Sequence, residues 1–199
     1  MVARIAAAAE RTGSPVFTVE QHVDYWDYLG WRDPFDDARF SERQAGYRML
    51  NRSTYTPQAV VNGVEEALGS DERGLNELIS HALAAAATTR LELSAQWSDG
   101  GLLVHCQGDG VEPAQALNLF VLETGAESNV TRGENSGEQL QHRNVARAFD
   151  TRQVSAGHFQ ATWQPQLPSG LPRSSVRVLA FTERRPQAGI TGANLTVPK

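Results

Sequence analysis

Cysteine occurs once in the 199 residues, at Cys106. One thiol closes no internal disulfide, completes no Cys-x-x-Cys pair and builds no sulfur cage for zinc. It sits in Leu102-Leu103-Val104-His105-Cys106, which alternates like a strand, and buried packing is the usual state of such a free thiol. Long apolar runs are also missing: none approaches the ~20 residues a spanning helix needs, so no membrane span is expected. Basic residues are scattered and outnumbered, 18 against 23 acids, for a formal charge of −5. Without a basic stripe to neutralise phosphates, a nucleic-acid partner is excluded. The start of the chain, Met1 to Arg11, lacks the uninterrupted apolar core of a secretory leader, because Arg4 breaks it and Glu10-Arg11 close it. It reads as a helix. As written the chain is expected in the cytoplasm, and in the periplasm or beyond if residues precede Met1.

What is present is an ordinary globular composition, 40% hydrophobic and 21% charged, with enough apolar material for a core. Up to residue 88, helix and strand signals alternate. Residues 3–11 favour a helix ended by Gly13-Ser14-Pro15. Val16 to Val23 reads as a strand, with Phe17, Val19 and Val23 on one face and Thr18, Glu20 and His22 on the other. An aromatic loop runs from Asp24 to Pro34, and a helix is predicted over 36–50 with Asp36 and Asp37 at its positive end. Thr56 to Val64 reads as a strand closed by Asn62-Gly63, a two-residue hairpin signal, with Val64 to Leu68 as partner. A final helix opens with Ser70 as N-cap and carries the stripe Leu75, Leu78, Ile79, Ala82, Leu83 and Ala86.

After Thr88-Thr89 the pattern changes. Short strands are predicted at 91–97, 101–106, 116–122, 140–149, 158–163 and 176–182. Turns are expected at Asp99-Gly100-Gly101, Gly108-Asp109-Gly110 and Pro168-Ser169-Gly170. Many short strands without a strong helix point to an antiparallel sandwich. The predicted organisation is therefore an α/β domain over 1–88 and an all-β sandwich-like domain over 89–199.

The order of elements before residue 88, with Thr56-Pro57 entering a hairpin, resembles the latter part of a thioredoxin-like fold. There, a cis proline in this position faces the redox dithiol. Two longer stretches resemble one family, the domain of unknown function 1223. The first is His22-Val23-Asp24-Tyr25-Trp26-Asp27-Tyr28-Leu29-Gly30-Trp31-Arg32-Asp33-Pro34-Phe35, followed by Tyr55-Thr56-Pro57-Gln58. The second is Arg132-Gly133-Glu134-Asn135-Ser136-Gly137 with Leu140 and His142-Arg143-Asn144-Val145. The resemblance implies an exported bacterial protein with a thioredoxin-like domain ahead of a β-sandwich, and a cis Thr56-Pro57 bond. In most members a strand and a Cys-x-x-Cys segment precede the first helix, and here Met1 falls where they would end. The thioredoxin-like domain is thus expected to be incomplete, its first strand missing. Loss of a central strand would leave a gap of ~10 Å between the Val16–Val23 segment and the hairpin. Direct closure, a strand lent by the β-rich part or another chain, or an upstream extension would each repair it, and the extension is favoured.

Candidate functional residues follow from these stretches. His22 with Asp24, Asp27 and Asp33 offers ligands for a cation, but no metal spacing accompanies them, and turn hydrogen bonds and helix capping explain the aspartates. Neither metal nor cofactor is expected. Tyr25, Trp26, Tyr28 and Trp31 form either a small core under a long loop or a ligand groove. The resemblance carried by this stretch points to a groove beside Tyr55, Thr56 and Pro57. In the second stretch, Glu134 with His142 suggests acid–base work, yet no nucleophile accompanies them. A turn at Glu134-Asn135, with His142 and Asn144 on one strand face, is the structural alternative. The leading expectation is a non-enzymatic module that binds an extended peptide or protein at the Pro57 edge. The alternative is a thiol–disulfide oxidoreductase whose dithiol lies upstream of this sequence.

Overall fold

The run Ala116 to Leu122 holds a single polar side chain, Asn118, and a continuous apolar pattern of this kind marks a strand covered on both faces. In the computed structural model, which describes residues 2–133, 136–184 and 189–199, the run lies within strand β5 (Gln115–Asn129). Leu117 to Leu122 are all buried. Side chains alternate along a strand, so β5 feeds two cores. Leu117, Leu119 and Val121 enter the first, Phe120 and Leu122 the second.

The first core lies between two antiparallel sheets. One has the order β3-β4-β7, built from Arg90–Ser98, Gly101–Val111 and Gly157–Trp163. The other has the order β6-β5-β8-β9, with β6 at Gln139–Gln153, β8 at Val176–Arg184 and β9 at Gly189–Thr196. Leu91, Val104, Phe159 and Trp163 of the smaller sheet pack with Leu119, Val121, Val176 and Val178 of the larger. Cys106 is part of this core. The sandwich-like half of the sequence reading corresponds to this arrangement. Two details differ. Gly108-Asp109-Gly110 is no turn, since β4 runs on to Val111 with an irregularity between Asp109 and Val111. Strand β9 carries too little apolar alternation to be read from sequence.

The second core covers the other face of β5 and β8. It contains Phe40, Phe120, Leu122, Ala146, Leu179 and Phe181, with Val19 against it. Phe120 stacks on Phe149 and Phe181 at centroid distances of 5.5 and 5.7 Å. Phe40 and Val19 come to it from the N-terminal part of the chain. The elements there are α1 (Val2–Thr12), α2 (Ala38–Gly46), α3 (Arg48–Asn51), the hairpin β1 (Gln58–Val61) and β2 (Glu65–Leu68), and α4 (Glu72–Ala84). The whole is mixed α/β with mostly antiparallel sheets. Among the described residues no helix is long and apolar enough to cross a membrane.

Several N-terminal expectations are corrected. Val16 to Val23 is not a strand. Only two isolated bridges occur, Glu20 with Val145 and His22 with Asp36. The backbone partner at Glu20 is therefore β6: the Glu20 N–H donates to the Asn144 carbonyl, and Ala146 N–H to the Glu20 carbonyl, both at 3.0 Å. The helix over 36–50 divides at Tyr47, just after Gly46, the poorest helix former in it. Asp37 caps α2 through the Arg39 N–H, and Asp71 rather than Ser70 caps α4 through the Gly74 N–H. The hairpin loop has three residues, because Val61 pairs with Glu65 and Val64 lies in the turn. On α4 only Leu75 is buried, while Leu83 stays exposed and Ala86 lies past the helix end. The Thr56–Pro57 peptide is cis.

An ionic group sits in the second core. Arg43 of α2 donates to Asn118 Oδ1 of β5, Glu183 Oε2 of β8 and the Tyr47 hydroxyl, each at 3.0 Å, and Tyr47 donates to Glu183 Oε1. The Arg43 and Glu183 side chains are both buried. Removing one partner of such a pair strands the other charge without solvent. Arg43→Ala is expected to lower the unfolding free energy by about 3–5 kcal/mol, while the volume-matched double change Arg43→Met with Glu183→Leu recovers most of it. Urea denaturation of the three proteins measures both; a loss well under 1 kcal/mol in Arg43→Ala would remove this pair from the account of stability.

Candidate functional site

Asn144 has a φ of 61°, in the left-handed region that Asn tolerates better than most residues. It is the extra residue of a bulge: Glu123 pairs with Val145 and Thr124 with Arg143, leaving Asn144 unopposed. The bulge turns β6 toward the N-terminal segment. The Asn144 amide donates to Thr18 Oγ1 at 2.9 Å, and its carbonyl takes the Glu20 N–H. The Arg143 N–H donates to Glu20 Oε1 at 3.1 Å.

This docking brings together side chains 122 residues apart. His142 Nδ1 lies 3.2 Å from Glu20 Oε2, and His142 Nε2 lies 2.8 Å from Ser128 Oγ. His22 Nδ1 is 2.7 Å from Asp33 Oδ2, leaving Nε2 turned to Glu20 Oε2 at 3.9 Å. The two imidazoles are 4.8 Å apart in a T-shaped arrangement, and the Phe35 ring lies edge-on to both, at 5.5 and 5.3 Å. The side chains of Glu20, His22, Asp33 and His142 are largely shielded from solvent, and Ser128 is buried.

Burial works against charge here, and hydrogen bonding overrides it. Burial alone would raise the Glu20 carboxyl, but the two imidazoles and the Arg143 N–H bring it down to about 2. Burial alone would lower His22, but the carboxylates of Asp33 and Glu20 push it up to about 9. Asp33 is likewise held below its ordinary value, against burial, by His22. At neutral pH the cluster thus contains two carboxylates and a His22 imidazolium. Glu20, His22 and His142 also present three ligand-type atoms within 4.8 Å of one another.

The other sequence candidates lie elsewhere. Asp24 does not join His22: its carboxylate accepts from Ser41 Oγ of α2. The Tyr25 hydroxyl donates to Gln44 Oε1, and the Trp26 indole N–H donates to Thr56 Oγ1 at 3.0 Å. Tyr25, Trp26 and Tyr28 are all exposed, Tyr28 at 76%, so they are not a small core under the loop. Trp31 is half-buried, whereas Thr56 and Pro57 are exposed. The Tyr55 hydroxyl is bonded to Glu66, and burial together with that carboxylate pushes it up to about 12. Glu134 and Asn135 lie outside the described residues. Sequence reasoning placed Glu20 and His22 on one face but missed their meeting with His142. The signal available was that both family-like stretches carry a histidine.

The family model described as "Protein of unknown function (DUF1223)" matches residues 2–183. The crystal structure of a protein from Agrobacterium tumefaciens superposes with a TM-score of 0.64 at 24% identity, over 96% of this chain and 84% of that one. That likeness shows a shared fold. A domain of the outer membrane lipoprotein Omp28 from Porphyromonas gingivalis gives a TM-score of 0.34 at 15% identity, over 57% of this chain and 99% of that one. No curated protein matches the chain.

The bulge yields a testable consequence. Asn144→Gly keeps the backbone and loses only the bond to Thr18, an expected cost of about 1 kcal/mol. Asn144→Val adds the strain of a β-branched residue at positive φ, a further ~1–3 kcal/mol. Guanidinium unfolding of the two variants checks the order, and equal stability would show that the left-handed conformation is not required.

Proposed function

The chain belongs to the family of proteins of unknown function DUF1223, and we propose that it is a non-enzymatic binding module that takes an extended peptide beside Pro57. In this reading residues 1–88 are an incomplete thioredoxin-like domain and residues 89–199 a β-sandwich domain. The observation that carries the proposal is the outer edge of β1. Among the described residues β1 pairs only with β2. The Gly69 N–H bonds to the Pro57 carbonyl, so by antiparallel alternation Ala59 and Val61 also face β2. The N–H and C=O groups of Gln58 and Val60 point the other way, as a strand edge open to β-addition does. Trp26, 45% exposed, is tethered to Thr56 just ahead of β1, with the Tyr28 ring 6.2 Å from its own. Aromatic side chains fixed by one hydrogen bond supply contact area at low entropic cost, which suits an anchor for a peptide side chain.

Thiol chemistry within this chain finds no support in Cys106. It is 3% exposed in the sandwich core, and burial pushes its thiol up to about 12. A thiolate, not a thiol, is the attacking species. The 199-residue protein is expected to leave insulin reduction by dithiothreitol at its background rate, and Cys106 is expected to react with Ellman's reagent only on unfolding. Catalysis lost on Cys106→Ser would refute this.

Peptides selected from a random displayed library against the full chain test the binding reading. Binders are expected to slow hydrogen exchange at the Gln58 and Val60 amides, and Trp26→Ala is expected to weaken them at least ~10-fold. Binders indifferent to Trp26→Ala, with no protection at either amide, would place recognition elsewhere.

A further inference from the structure

We infer that Glu20, His22 and His142 form a binding site for a borderline divalent cation of the zinc type. Three features of the cluster lead there. The first is the donor set, two imidazole nitrogens and one carboxylate oxygen, which suits zinc and its neighbours better than calcium or magnesium. The second is convergence. His142 Nδ1 and Glu20 Oε2 are already 3.2 Å apart, close to the ~3.3 Å edge implied by tetrahedral bonds of about 2.0–2.1 Å. His22 Nε2 lies 3.9 Å from the same oxygen, and the three donor atoms fall within 4.8 Å of one another, so His22 must move inward to close the set.

The third feature is the surrounding shell. A metal-bound histidine characteristically gives its second nitrogen to a carboxylate, carbonyl or hydroxyl that fixes its ring and tautomer. Here His22 uses Nδ1 on Asp33 and turns Nε2 inward, while His142 uses Nε2 on Ser128 and turns Nδ1 inward. The second oxygen of Glu20 is held by the Arg143 N–H. Every inward-facing donor is therefore oriented from behind by a different residue. Phe35 edges both rings and limits water on that side. The ligands come from the N-terminal segment and from β6, so a bound cation would tie the two together.

His22 would meet the cation through Nε2, with Nδ1 held by Asp33. The site differs from the cation reading available from the loop alone, because Asp24 and Asp27 take no part in it.

The test uses the full chain after chelator treatment, titrated with zinc chloride by calorimetry. One zinc per chain is expected, with a concentration-dependent rise in the melting temperature. Nitrogen-correlated NMR of the imidazoles should show His22 and His142 shifting on zinc addition, and the exposed His81, His105 and His158 unmoved. Asp33→Asn, which alters only the shell, is expected to weaken zinc about 10–100-fold. Glu20→Gln and His142→Ala are expected to weaken it further, while His158→Ala, with its own exposed carboxylate partner Asp109, leaves it unchanged. If a variant loses its cooperative melt, the imidazole shifts of the unaltered protein decide. Failure to saturate, or shifts confined to His81, His105 or His158, overturns the assignment. A failure here leaves the peptide edge untouched, since that surface shares none of these side chains.

Discussion

Strand β5 is buried on both faces, and most of the molecule is arranged to meet that constraint. One face is met by the three-stranded sheet, as in any sandwich. The other would present Phe120, Leu122, Leu179 and Phe181 to water if the first half of the chain were displaced. Fully burying a side chain of this size stabilises by roughly 1.5–3 kcal/mol, so covering the outer face is a substantial term in folding. The same face carries Glu183, whose charge is neutralised by Arg43 from the N-terminal layer. The two parts of the sequence that differ so clearly in pattern are therefore joined by an apolar core and by a buried charge pair.

The bulge in β6 shapes a second contact. Strand β6 is the edge of its sheet, so its outward N–H and C=O groups are open to another segment. An extra residue at Asn144 breaks the alternation, and the Asn144 carbonyl and the Ala146 N–H then take up Glu20 as if it were one residue of a new strand. The pairing stops there. Side-chain bonds continue it, from Thr18 to Asn144 and from Glu20 to His142 and to the Arg143 N–H. A short backbone contact is thereby locked by polar side chains, which gives the cluster its fixed geometry.

The sandwich was legible because it follows from local rules: runs of alternating or continuous apolar residues separated by turn residues. The helices α1, α2 and α4 and the hairpin were legible for the same reason, with errors of one or two residues where capping chose between neighbours such as Ser70 and Asp71. What could not be read was the fate of Val16–Val23. Its composition suits a strand, but whether a strand forms depends on what lies beside it, and here a bulged β6 offers only one pairing position. The polar cluster was illegible for a related reason. His22 and His142 were each singled out, but with partners close in sequence, Asp24 and Glu134. The structure bonds His22 to Asp33, one of the loop aspartates grouped with it, and brings His142 to Glu20 by a contact across 122 residues that no spacing rule encodes. Of the two readings of the aromatic loop, a small core does not form, because three of its four rings face solvent.

One nine-residue helix shows how these features are held in mutual register. In α2 successive residues turn by about 100°, so positions 40, 41, 43 and 44 fan across less than half the helix circumference. Phe40 enters the second core and Arg43 reaches Glu183 and Asn118. Ser41 bonds Asp24, and Gln44 bonds Tyr25, the Tyr55 carbonyl and Gln58. Glu42 and Ala45, on the opposite side, are exposed. The inward residues fix α2 on the sheet, and their neighbours hold the loop from Asp24 to Trp26 on one side and the entry to β1 on the other. The same loop begins at His22, two residues before Asp24. The polar cluster and the aromatic surface are thus separate in chemistry but share a support, and that support is anchored by the buried charge pair under β5.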